Sequence, residues 1–169
     1  MRFLKALSIV LLTLFTLIGC DNEDETSTFS ESNIWGVWVA DKIPQSGYEA
    51  QGIEIKISED RILQTADRVI NPENSEIVSE NSFACLSYGE LNVEDPVAGF
   101  FNFYFVENLS YPSQAADNIR VELLEDGARA VITTKIFNWD GSETFVEYEV
   151  ERSSDEIPSI DFTSCASQE

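Results

Sequence analysis

Residues 118–152 read NIRVELLEDGARAVITTKIFNWDGSETFVEYEVER, and the reading of this stretch decides the fold. Two Asp-Gly pairs, Asp126-Gly127 and Asp140-Gly141, stand between runs rich in β-branched and aromatic residues. Asp-Gly supplies the positive φ angles that tight hairpin turns require, so the stretch predicts a three-stranded antiparallel meander. In its last run Thr144, Val146, Tyr148 and Val150 share one face, while Phe145, Glu147, Glu149 and Glu151 share the other. Successive strand residues point to opposite sides, so the second face is mostly wet.

The same period of two continues upstream. Ile53, Ile55 and Ile57 alternate within residues 51–57, and Ser58-Glu59-Asp60 turns the chain into residues 61–69. Phe101, Phe103 and Phe105 form the most concentrated apolar stripe, within residues 99–106. With residues 35–40, 82–88, 119–125, 128–138 and 143–151, the count reaches about eight strands. No long window carries a helical period. The expectation is therefore an all-β fold: an antiparallel meander of about eight strands curled into an up-and-down β-barrel, with a two-layer β-sandwich as the alternative.

Composition narrows the function classes. The chain has 169 residues, 31 acidic and 10 basic side chains, no histidine and one methionine. Absence of histidine excludes Ser-His-Asp and Cys-His catalysis, histidine-ligated metals and imidazole pH sensing. With 43% hydrophobic and 11% aromatic residues the chain can build a core despite its net charge of −21. Nucleic acid is excluded as a partner, because neutralising phosphates needs clustered lysine and arginine. The carboxylates show neither the spacing of a calcium loop nor a singled-out acid-base pair, so the sequence predicts no metal, no cofactor and no enzyme.

The first twenty residues, MRFLKALSIVLLTLFTLIGC, carry Arg2 and Lys5 and then an uncharged stretch that stops at Asp21. As a helix its fifteen residues would span roughly 22 Å, short of the ~30 Å hydrocarbon core, which fits an export signal better than a permanent span. Leu17-Ile18-Gly19-Cys20 resembles the lipobox of bacterial lipoproteins. The resemblance implies that the signal, residues 1–19, is cleaved and that Cys20 carries a diacylglyceryl group and a further acyl chain. Several chains on one residue make release from a bilayer negligible. Cleavage removes Arg2 and Lys5 and moves the net charge from −21 to −23.

Asp21-Asn22 resembles the signal that retains enterobacterial lipoproteins in the inner membrane, facing the periplasm, with the outer membrane as the alternative. Residues 20–33 then read as the lipidated cysteine and an acidic, flexible tether, and residues 34–169 as a single β-rich domain with a C-terminal tail. Cys85 and Cys165 are the two thiols left once Cys20 is acylated, and an oxidising compartment favours their pairing as a disulfide. Within Trp35-Gly36-Val37-Trp38, the pattern Gly36-x-Trp38 resembles the glycine-x-tryptophan motif of lipocalins. In that family the tryptophan closes the barrel base beneath an arginine from the end of the last strand, and Arg152 stands at the matching place. That resemblance implies a domain whose interior, lined partly by Phe101, Phe103 and Phe105, binds a small apolar ligand. The other expectation is an interaction or accessory subunit of an envelope protein assembly.

Overall fold

The computed structural model describes residues 28–110, 118–124, 127–137 and 140–160. The expected signal, Cys20, Asp21 and Cys165 lie outside the described residues. Ten antiparallel strands form one strongly curled sheet, a half-barrel. They are β1 (Gly36–Gln45), β2 (Tyr48–Ile57), β3 (Arg61–Asn71), β4 (Glu76–Ser87), β5 (Glu90–Asp95), β6 (Phe100–Tyr104), β7 (Glu107–Asn108), β8 (Ile119–Leu123), β9 (Arg129–Phe137) and β10 (Glu143–Ser154). Their order across the sheet is β5-β6-β8-β9-β10-β1-β2-β3-β4-β7. The curled antiparallel meander is the one expected, with ten strands in place of about eight and a half-barrel in place of a closed barrel, and it is not the alternative two-layer sandwich.

Two meanders make up this sheet. β1 to β4 follow one another through hairpins, as do β8 to β10, and β9 pairs β10 from Glu143↔Phe137 to Glu151↔Arg129. Gly127 and Gly141 both take positive φ, +65° and +81°, which is the conformation the Asp-Gly pairs were read to supply. The two meanders meet along a short seam. β1 and β10 pair at Val37↔Ser154, Trp38↔Arg152 and Val39↔Glu151, and there the ladder ends.

A crease explains why it ends. The buried residues run Trp38 then Ile43 in β1, Ile55 and Ile53 then Ala50 in β2, and Ile62 and Ala66 then Val69 in β3. Each strand changes phase at the same level, where Asp41, Gly52 and Asp67 lie between consecutive register pairs. Gly52 takes φ +62°, and a Cβ there would collide with the Asp67 carboxylate. The change of phase re-aims β1 just past Val39, its last residue paired with β10.

One end of the half-barrel is plugged. Ile34, Trp38, Phe101, Phe103, Ile55, Ile57, Val121 and Val150 have almost no accessible surface, and Tyr88 packs edge-on against Phe103 with centroids 4.7 Å apart. The Tyr88 hydroxyl donates to the Ser58 carbonyl, and burial pushes its pKa far above the ordinary phenol range.

Two expectations need correction here. The tether was expected to continue to Asn33, but the Phe29 N–H donates to the Pro96 carbonyl at 2.7 Å and its ring packs against the core. A 3-10 turn at Glu31–Asn33 follows, so the chain is held from Phe29 onward. Phe105 was expected beside Phe101 and Phe103. Strand β6 instead stops at Tyr104, Phe105 takes φ +54°, and its side chain is 75% exposed. The chain leaves the sheet there to reach β7, which pairs with β4 at the opposite edge, so the period of two no longer governs where that ring points.

Candidate functional site

Arg152 and Trp38 sit side by side on the seam, and the structure brings them together. The guanidinium carbon lies 4.3 Å from the Trp38 ring centroid, at cation-π distance. Trp38 Nε1 donates to the Ile34 carbonyl at 2.9 Å. Arg152 reaches further: Nε donates to the Gly127 carbonyl at 3.1 Å, one terminal nitrogen to the Trp35 carbonyl at 3.2 Å and the Asp155 carboxylate at 2.9 Å, and the other to the Asn33 carbonyl. Gly36, φ +141°, lies under this cradle, where a Cβ would stand 2.5 Å from the Ser154 carbonyl oxygen. Gly36, Trp38 and Arg152 thus form a single plug that ties the incoming chain to the end of β10.

The plug is structural chemistry. A guanidinium spreads its donors in a planar fork that an ammonium cannot reproduce. We expect Arg152→Lys to destabilise the domain by about 2–3 kcal/mol, because carbonyls at the plug lose their donors. Urea denaturation reads this as a lowered midpoint with an unchanged slope, and a shift within about 0.5 kcal/mol would mean that the cradle is idle.

Phe101 and Phe103 are fully buried within the plug's core. The space that opens to solvent lies elsewhere, where β1 and β10 part above the seam. This cleft has a volume of about 1240 Å³. On the β1–β2 side it is lined by Ala40, Asp41, Lys42, Ile43, Ile53 and Glu54, and on the β10 side by Glu147, Tyr148, Glu149 and Glu151. Tyr48 and Pro72 mark its far end, next to the β1–β2 and β3–β4 turns.

The walls and floor differ in chemistry because alternation along each strand sorts them. Ile43 and Ile53 are buried, Tyr148 packs against the core, and burial raises the Tyr148 pKa so that the phenol stays neutral. Glu147, Glu149 and Glu151 alternate with Tyr148 and Val150 and point outward. Among the described residues these three carboxylates take part in no salt bridge, whereas Lys42 is held by Glu49 at 3.1 Å. The amide of Gln51 and the Lys42 ammonium lower the Glu49 pKa. The carboxylates line the walls without converging, and no group of three or more acidic or thiol side chains among the described residues is arranged to hold a metal ion.

Cys85 is buried on the outer face of β4, level with Leu63 of β3. Its N–H donates to the Ser110 hydroxyl at 3.0 Å and its carbonyl accepts from the Leu109 N–H at 2.8 Å.

Trp38 and Arg152, paired by the sequence motif, do lie together, whereas the cleft had no counterpart in the sequence. The acids and the tyrosine of the cleft were visible as an alternating strand, but nothing in the sequence marks where two strands part. No protein family model, curated protein or solved structure matches the chain.

Proposed function

We propose that this protein is a lipid-anchored lipoprotein of the bacterial cell envelope, non-enzymatic, whose half-barrel is an interaction module for an envelope protein assembly. The observation that carries the reading is the position of the cleft. The chain enters the domain at Phe29, beside Pro96, Gly99 and Gly127, at the plugged end. The far end of the cleft lies by the opposite turns, at Tyr48 and Pro72. An anchor at Cys20 would therefore join the domain at the end opposite Tyr48 and Pro72, which leaves the cleft reachable from the periplasm. From Asp21 to the first held residue the leash reaches at most roughly 30 Å. Asp21-Asn22 favours the inner membrane. The interior around Phe101 and Phe103 is filled, and the volume of the cleft exceeds the ~300–1,000 Å³ typical of small-molecule sites.

A second reading uses the same cleft for a small apolar ligand, favoured by its floor of Ile43, Ile53 and Tyr148. Native mass spectrometry of protein from its own membrane separates the two. A retained protein partner supports the first reading and a retained small molecule the second. A bare monomer speaks against both.

The anchor is tested separately. Cys20→Ala is expected to move the protein from the membrane fraction to the soluble periplasm, because each buried methylene contributes about 0.8 kcal/mol and the variant has no acyl chain. Unchanged membrane retention would mean that the uncut signal is the anchor. The same compartment supports a disulfide between Cys85 and Cys165, which would tie the C-terminal tail to the outer face of β4.

A further inference from the structure

We propose that the cleft accepts an extended segment of a partner protein in which apolar and basic residues alternate, laid as an additional strand between β1 and β10. The inference rests on the interaction-module reading and specifies its partner.

Strand edges are the first support. β1 pairs with β2 along its whole length and β10 with β9 from Glu143 to Glu151, while the ladder joining β1 to β10 stops at Val39↔Glu151. Above that pair, the cleft-lining residues 40–44 of β1 and 147–149 of β10 have no ladder partner across the cleft among the described residues, with Pro44 contributing no N–H. Such an edge is a ready template for an added strand, in which main-chain hydrogen bonds supply affinity and alternate side chains supply specificity.

The side chains then decide the sequence of the guest. An inserted strand directs every second residue inward, onto Ile43, Ile53 and Tyr148, and the others outward, between Glu149 and Glu151 on one side and Asp41 and Glu54 on the other. Inward positions therefore take apolar side chains and outward positions take lysine or arginine. The balance of charge is one-sided: Asp41, Glu49, Glu54, Asp67, Glu147, Glu149 and Glu151 line the cleft against Lys42 alone. An acidic guest would be repelled, and a wholly apolar one would leave the carboxylate walls unmatched.

The test uses the full mature chain in lipid nanodiscs and three labelled decapeptides read by fluorescence anisotropy. Alternating (Lys-Val)5 is expected to bind, more weakly as salt rises. (Glu-Val)5 is expected not to bind. Lys5Val5, equal in charge but without alternation, is expected to bind several-fold more weakly. Hydrogen exchange should show protection by (Lys-Val)5 at residues 40–45 and 143–149. Substituting Glu147, Glu149 and Glu151 together by glutamine is expected to weaken it roughly tenfold, the loss of about three surface ion pairs. Equal binding of (Lys-Val)5 and Lys5Val5, or protection on β4 around Ile77 and Val78 instead, would overturn the inference. A native partner protecting another surface would also overturn it while leaving the interaction-module reading intact. Uptake of the neutral dye N-phenyl-1-naphthylamine that is abolished by Tyr148→Ala, without peptide binding, would overturn both in favour of the small ligand.

Discussion

Replacing Trp38 with alanine is expected to lower the thermal midpoint by roughly 10–20 °C. Trp38 is fully buried, its indole N–H is satisfied by Ile34, and its face carries Arg152. Truncating a buried tryptophan removes its transfer free energy and leaves a cavity, together about 3–5 kcal/mol. Set against the ~5–15 kcal/mol that holds a typical domain, this is a large fraction of the total. The plug also joins the incoming chain to β10, so its loss should loosen Phe29 and the 3-10 turn as well. Trp38→Phe keeps most of the ring and gives up the bond to Ile34, which should cost about 1–2 kcal/mol. Phe145, 70% exposed, provides the contrast, since its replacement by alanine should stay within about 0.5 kcal/mol. Calorimetry of the three variants decides the matter. A Trp38→Ala midpoint within about 3 °C of wild type would mean that the indole is not the keystone of the closed end.

Breaking the proposed Cys85–Cys165 bond is expected to have an effect of similar size. The loop it would close is about eighty residues long, for which chain entropy gives roughly 4–5 kcal/mol, lowered in practice by residual structure in the unfolded chain. Cys165→Ser is the cleaner variant, because Cys85 is itself buried in the outer face of β4 and its substitution also disturbs packing. Both Cys165→Ser and added reductant should lower the midpoint by a similar amount. The oxidised chain should weigh two hydrogens less than the reduced one. Alkylation of both thiols without reductant would refute the pairing.

Turns and alternation were legible because both are local. Asp126-Gly127 and Asp140-Gly141 specify hairpins through the backbone freedom of glycine, and the isoleucines of residues 51–57 announce a half-buried strand by spacing alone. The crease was not legible. At Asp41, Gly52 and Asp67 the buried phase switches in three neighbouring strands at once. Read one strand at a time, that switch looks like a strand ending, which is why the first strand was expected to stop at residue 40 and the second to begin at residue 51. Strand β4 was read short for a related reason. Its first half, Glu76 to Asn81, is exposed on both faces and so carries no alternation to detect.

By itself the sequence determined the strand period, the hairpin turns, the acidity and the presence of a tryptophan and an arginine suited to close a barrel end. Each is a property of residues near one another in the chain. Only the tertiary structure decided which strands meet, that β1 and β10 pair for three residues and then part, and that the outward acids of β10 line the same cleft as Ile43 and Ile53. Register between β1 and β10 joins residues more than a hundred positions apart, and no local propensity encodes where such a ladder stops. The curl of the whole sheet and the crease across β1 to β3 set that point, and they emerge only when all the strands are packed together.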